Sequence, residues 1–158
     1  MTITDISPST AVGGQWIYIQ GSDFDLTNTQ VYFGTVQCVV YVITSTSTIA
    51  AMVPDGCPST CNIKIVDGLN EVVSSMTFSL ATITQPPIID SVYIDVDTDW
   101  VGVIGDNFVW NNTTITIDEQ PFTASVDAPS ICGARKDISL TVTSVVIQTP
   151  YGSVTHSV

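Results

Sequence analysis

Few residues in this sequence are equipped for chemistry, and their spacing narrows what they can do. The single histidine, His156, lies two residues from the C-terminus. Ser-His-Asp or Cys-His machinery therefore has one candidate base and nothing to orient it, and an edge or surface position is the expected one. Three carboxylates alternate in Asp95-Val96-Asp97-Thr98-Asp99. On a strand they would share a face, and in a loop they could gather a calcium ion. The loop Gly and closing Glu of a helix–loop–helix calcium site are missing, so a solvated turn is expected. Paired carboxylates for sugar hydrolysis need a cleft between them, and no sequence feature signals one. No catalytic residue, cofactor site or metal site is expected.

Cysteine offers more. Cys57-Pro58-Ser59-Thr60-Cys61 falls between two expected strands. A pair this close can bridge its own loop, and closing so short a ring is worth about 2 kcal/mol at best in the chain-entropy account. The same spacing is half a zinc site, whose other half would have to come from Cys38, Cys132 or His156. Reduced thiols are the third reading. The local disulfide between Cys57 and Cys61 is favoured. Cys38 and Cys132 are expected to be unpaired and buried like small apolar residues.

Asn111-Asn112-Thr113-Thr114 holds overlapping glycosylation sequons, which matter only in a eukaryotic secretory setting. Trp110, just before them, is the interaction candidate. A tryptophan in a loop serves as a contact anchor or as a cap on the end of a core, and both readings stay open.

The elements that must position these residues occur twice. Shifting the chain by 84 residues lays Trp16-Ile17-Tyr18-Ile19-Gln20-Gly21-Ser22-Asp23-Phe24 on Trp100-Val101-Gly102-Val103-Ile104-Gly105-Asp106-Asn107-Phe108. Asn28 to Val31 then falls on Asn112 to Ile115, and Gly68 on Gly152. In each copy a first strand (Ile3 to Ile6; Ile88 to Val92) precedes one starting at Trp16 or Trp100. Ile17 and Ile19 alternate with Trp16, Tyr18 and Gln20, the period of a half-buried strand. A Gly-x-x-Phe step breaks the strand and returns the ring to the core. Further strands are expected over Gln30 to Phe33, Cys38 to Ile43, Ile49 to Val53, Asn62 to Val66 and Val72 to Phe78. Turn signals such as Pro54-Asp55-Gly56 and Asp67-Gly68 separate them. No window has helical period. The adjacent prolines of Thr84-Gln85-Pro86-Pro87 cannot donate to a sheet and mark a stiff linker. The expectation is all-β: two tandem immunoglobulin-like β-sandwiches, residues 1–84 and 85–158.

Composition agrees with strands. Apolar residues make up 44% of the 158 and charged residues only 11%, so Ser, Thr, Asn and Gln must dress the surface. Three basic residues (Lys64, Arg135 and Lys136) face fifteen acidic ones, for a formal charge of -12. Such a chain has almost nothing with which to replace the counterions of nucleic acid or to meet an anionic membrane. The N-terminus shows no basic start followed by an apolar run, and no stretch reaches the roughly 20 apolar residues of a spanning helix.

The residues Ile3 to Pro8, Gly13-Gly14 and Ile17 to Phe24 resemble the opening of the IPT/TIG family of immunoglobulin-like domains. Val31-Tyr32-Phe33-Gly34, Ile49 to Pro54 and Ile63 to Val66 are similar to its later strands. The second copy resembles the family over Pro87 to Val92 and Val101 to Phe108. It then departs: Asp118 stands where Gly34 does, no Val-Pro pair closes its middle strand, and Ala128 to Lys136 reads as an insertion. The resemblance implies a sandwich of two antiparallel sheets that serves as an interaction or spacer module, in receptors, transcription factors, secreted sugar-processing enzymes or phage virions. Two such modules starting at a Met without an export signal point first to a non-enzymatic virion structural protein. This would be a bacteriophage capsid decoration or cement protein, or a tail-associated one, on the virion surface and bound to capsid or tail proteins or to copies of itself. The alternative is an extracellular adhesive or carbohydrate-binding module, with a glycan as its ligand.

Overall fold

A computed structural model describes residues 1–135 and 141–158. Among these residues there are strands and turns and no helix. The chain divides into two compact units, Met1–Thr82 and Ile83–Val158, close to the proline pair. Each unit is a β-sandwich with its own core.

The first unit runs β1 (Thr2–Ser7), β2 (Thr10–Ala11), β3 (Trp16–Ser22), β4 (Thr29–Phe33), β5 (Val36–Cys38), β6 (Tyr41–Ser45), β7 (Thr48–Met52), β8 (Thr60–Asp67) and β9 (Asn70–Leu80). One sheet has the order β1-β3-β7-β6, the other β2-β9-β8-β4-β5. Ile17, Ile19, Ile49 and Ala51 from the first sheet meet Val31, Phe33, Ile63, Ile65 and Phe78 from the second, and all are buried. These β-branched and aromatic side chains fit a pleated surface whose opposite face is wet. Tyr18, between the two isoleucines, is 51% exposed, as the alternation requires. Phe33 and Phe78 lock the sheet with an edge-to-face contact, their ring centroids 5.1 Å apart.

The second unit runs β10 (Ile88–Asp95), β11 (Trp100–Asp106), β12 (Thr114–Ile117), β13 (Gln120–Phe122), β14 (Ser125–Ala128), β15 (Ile131–Arg135), β16 (Ser144–Thr149) and β17 (Gly152–Ser157). Its sheets, β10-β11-β15-β14 and β13-β12-β16-β17, repeat the pairings β1-β3-β7-β6 and β5-β4-β8-β9 strand for strand. The repetition reaches single atoms. A Cβ on Gly21 would stand 2.0 Å from the Thr2 carbonyl oxygen, and one on Gly105 would stand 1.9 Å from that of Ile88. Only glycine lets the first strand approach so closely. The residue before each phenylalanine takes a left-handed backbone, Asp23 at φ 60° and Asn107 at φ 64°. Phe24 N–H donates to Thr46 O and Phe108 N–H to Pro129 O, each at 2.9 Å. Buried Thr29 and Thr113 close the following loop by donating to Asp25 O and Val109 O.

Two expectations are corrected. Cys38 to Ile43 is not one strand: β5 ends at Cys38 in one sheet, and β6 begins at Tyr41 in the other. Val39 and Val40 carry the chain across, exposed, so an apolar run here marks a crossing and not a core strand. Ala128 to Lys136 is not an insertion. Its described part is the end of β14, a hairpin and β15, which pairs with β11 as β7 pairs with β3. Val103 faces Cys132 where Ile19 faces Ile49, because the second copy has already lost one residue between β13 and β14, and an ungapped comparison loses the strand. Lys136 lies outside the described residues.

Asp118 keeps the conformation of Gly34. Both have positive φ, 48° and 62°, and both donate their N–H to the facing strand, to Ser144 O and Asn62 O at 3.0 Å. The carboxylate compensates for the strained backbone: Asp118 Oδ1 accepts from Thr143 N–H, the Thr143 hydroxyl and Ser144 N–H at 2.7–2.9 Å.

Candidate functional site

A candidate site lies in the second unit, where the chain passes from edge strand β13 of one sheet to edge strand β14 of the other. Here an open cleft of about 750 Å³ is lined by Trp110 and Phe122, by Thr113, Thr114, Thr123 and Ser125, and by Asn111. None of its lining residues is charged.

The loop that presents Trp110 is tied down. Asn112 N–H closes a turn onto Val109 O at 3.1 Å. Val109 N–H and Thr113 Oγ1 bond at 2.8 Å, while the same hydroxyl donates to Val109 O at 2.9 Å. Asn111 accepts the positive φ of 57° that the turn demands. Trp110 packs partly on the core together with Phe122 and Ala124 and shows its remainder to the cleft. This tryptophan therefore packs on the core and also lines the cleft.

The cleft exists because of a truncation. In the first unit Tyr41 precedes the β6 residue Val42, which pairs with Ala50, and Tyr41 itself pairs with Ala51. In the second unit Ser125 pairs with Gly133, the counterpart of Ala50, which puts Ala124 in the place of Tyr41. Tyr41 fills that space and donates its hydroxyl to Thr29 O at 2.8 Å. Ala124 leaves the matching space beside Thr113 empty. Phe122 and Trp110 take the positions of Cys38 and Leu26 and turn the opening aromatic. Phe122 and Ala124 were not candidates from sequence, because an alanine gives no signal until the register of β14 is known.

The other candidates lie elsewhere. Cys57 is buried in the loop before β8, its thiol donating to Pro58 O at 3.4 Å, and Cys61 is half-buried on β8; both are free. Burial, then the neighbouring Cys61, pushes the Cys57 thiol up to about 12. Cys38 and Cys132 are buried free thiols in separate cores, Cys38 donating to Val40 O and Met52 O at 3.2 Å. Burial, then Asp127, pushes Cys132 up to about 12. Asp95, Asp97 and Asp99 form the hairpin between β10 and β11. The Thr98 hydroxyl, then Asp97 N–H, holds the Asp95 carboxyl below its ordinary value. Among the described residues no three His, Cys, Asp or Glu side chains converge as a metal site would need. His156 sits half-buried on the edge strand β17, opposite Val145. Among the described residues no helix is long and apolar enough to cross a membrane.

Comparison with known proteins returns a family. The family model for the IPT/TIG domain matches residues 1–80. No curated protein matches the chain. Among solved structures, the Plexin A4 full extracellular region is 18% identical, with a TM-score of 0.48, over 97% of this chain and 17% of its own. SGBP-B from a complex xyloglucan utilization locus in Bacteroides uniformis is 18% identical, with a TM-score of 0.41, over 99% of this chain and 48% of its own. The mixed-linkage glucan utilization locus SGBP-B of Bacteroides ovatus, in complex with a mixed-linkage heptasaccharide, is 15% identical, with a TM-score of 0.44, over 96% and 40%. The chain thus spans less than half the length of each. Identity this low says nothing about a shared ligand.

Proposed function

The chain belongs to the IPT/TIG domain family, and on that premise we propose that it is a non-catalytic extracellular binding module whose second unit takes a neutral glycan in the Trp110–Phe122 cleft. The observation that carries this reading is the lining of the cleft: two aromatic side chains among hydroxyls and a carboxamide, without a charge. An apolar sugar face stacks on an aromatic ring, while the sugar's hydroxyls exchange hydrogen bonds with Thr, Ser and Asn side chains. The volume of about 750 Å³ suits a short oligosaccharide. The formal charge of -12 disfavours acidic polysaccharides by repulsion.

The second unit is read as a diverged copy of the same domain. Its strand order, its Gly105–Phe108 step, its Thr113 closure and the left-handed Asp118 support that reading. The first unit, whose equivalent space is closed by Tyr41, acts as spacer or as a protein-facing module. The lining of the cleft favours this reading over the virion decoration role expected from the two-module organisation.

Native electrophoresis of the chain through gels containing neutral soluble polysaccharides tests the proposal. Retardation by at least one neutral glycan, lost in Trp110→Ala, supports it. Equal mobility of both proteins across neutral polysaccharides would refute it and leave a protein partner for the same cleft.

A further inference from the structure

Cys57 and Cys61 stand apart from the ligand question. Cys57 belongs to the core cluster of the first unit, reached from a turn in which its N–H bonds to Pro54 O at 3.3 Å. Cys61 lies on β8, opposite Phe78 of β9. The loop between them is already seated: a Cβ placed on Gly34 would lie 3.2 Å from Cys61 Cβ and 3.5 Å from Pro58 Cγ. The Leu80 N–H holds the far side of the loop by donating to Ser59 O at 2.8 Å. Cys57 Sγ donates to Pro58 O at 3.4 Å inside this packed loop, near enough to Cys61 for each thiol to affect the other's ionisation, with Cys61 half-buried and Cys57 buried. Cys38 and Cys132 have no such neighbour, since each sits in a different core.

We infer that Cys57 and Cys61 are a thiol–disulfide pair that closes by exchange with a small-molecule disulfide and locks the loop between β7 and β8 to the start of β8. The half-exposed Cys61 is attacked into first: its thiolate displaces one glutathione thiolate from glutathione disulfide and forms a mixed disulfide. Cys57 gives its proton to solvent, its sulfur bonds to Cys61 Sγ, and the second glutathione leaves as thiolate. Two protein thiols become one disulfide while one glutathione disulfide becomes two glutathiones, so electrons and atoms balance. Both thiols have raised pKa values, chiefly through burial, so exchange speeds up with pH. An oxidising exterior would keep the pair closed and a reducing compartment would keep it open.

The experiment uses the full chain, equilibrated in glutathione buffers of graded ratio, alkylated and digested before each aspartate. In the oxidised buffer the peptide spanning residues 55–66 should lose the mass of two hydrogens and escape alkylation. Cys38 and Cys132 should alkylate only after unfolding. Reduced buffer should restore both thiols. In Cys57→Ser the reaction should stop with glutathione on Cys61. Two alkylatable thiols in that peptide under oxidised buffer, or a lasting glutathione adduct on wild-type Cys61, overturns the inference. The wild-type map decides the matter even if the variant does not fold.

Discussion

The hydroxyl of Tyr41 donates to the carbonyl oxygen of Thr29 at 2.8 Å, and this one bond marks where the two units part company. It ties edge strand β6 of one sheet to the start of β4 in the other and fills the gap between the two sheets. At the same place in the second unit Ala124 stands beside Thr113, and the gap is an open cleft.

Ala124→Tyr should therefore close the cleft from within. The new ring enters the space Tyr41 occupies in the first unit, and its hydroxyl meets the Thr113 carbonyl. Buried apolar area returns roughly 25 cal/mol per Å², so the thermal midpoint should hold or rise while glycan retention disappears. A protein that unfolds earlier and still binds would show that the two spaces are not equivalent.

Much of this architecture is legible in the sequence and its key detail is not. The shift of 84 residues finds β3 and β11, both Gly-x-x-Phe steps and the paired Thr29 and Thr113, because tight turns demand particular residues at fixed offsets. It misses the cleft because the second copy has lost one residue before β15. The same shift sets Tyr41 against Ser125, and the strand register sets it against Ala124. Cys38 to Ile43 misleads for another reason. Hydrophobicity alone does not separate a buried strand from a crossing whose valines are exposed.

Gly21→Ala and Gly105→Ala should each remove roughly 3 kcal/mol from their own unit. The added methyl would stand about 2 Å from a strand carbonyl and would also strike the ring of Phe24 or Phe108. The first strand must then peel away or the ring must leave the core. Because each unit has its own core, calorimetry should resolve two transitions, only one of them lowered in each variant. A single transition shifted equally by both substitutions would mean the units unfold as one.

Asp118→Ala should cost roughly 2–3 kcal/mol, from three lost hydrogen bonds and a β-carbon left in the left-handed region. Asp118→Gly relieves the strain but not the lost bonds, so it should fall between alanine and wild type in urea denaturation. The ranking Asp, Gly, Ala tests whether the carboxylate stands in for the glycine seen at Gly34.

Alkaline pH should destabilise the reduced protein through its buried thiols. Cys57 and Cys132 titrate at about 12 in the fold, chiefly because burial penalises the thiolate, against an ordinary value of 9.0 in the unfolded chain. Between these values the folded state holds protons that the unfolded state has released. Stability contributed by the neutral thiols is therefore complete below pH 9.0 and declines as pH rises towards about 12. Under reductant, the thermal midpoint of the second unit should fall as pH rises above 9.0, and Cys132→Val should flatten that slope. An equal slope in the variant would remove Cys132 from the account.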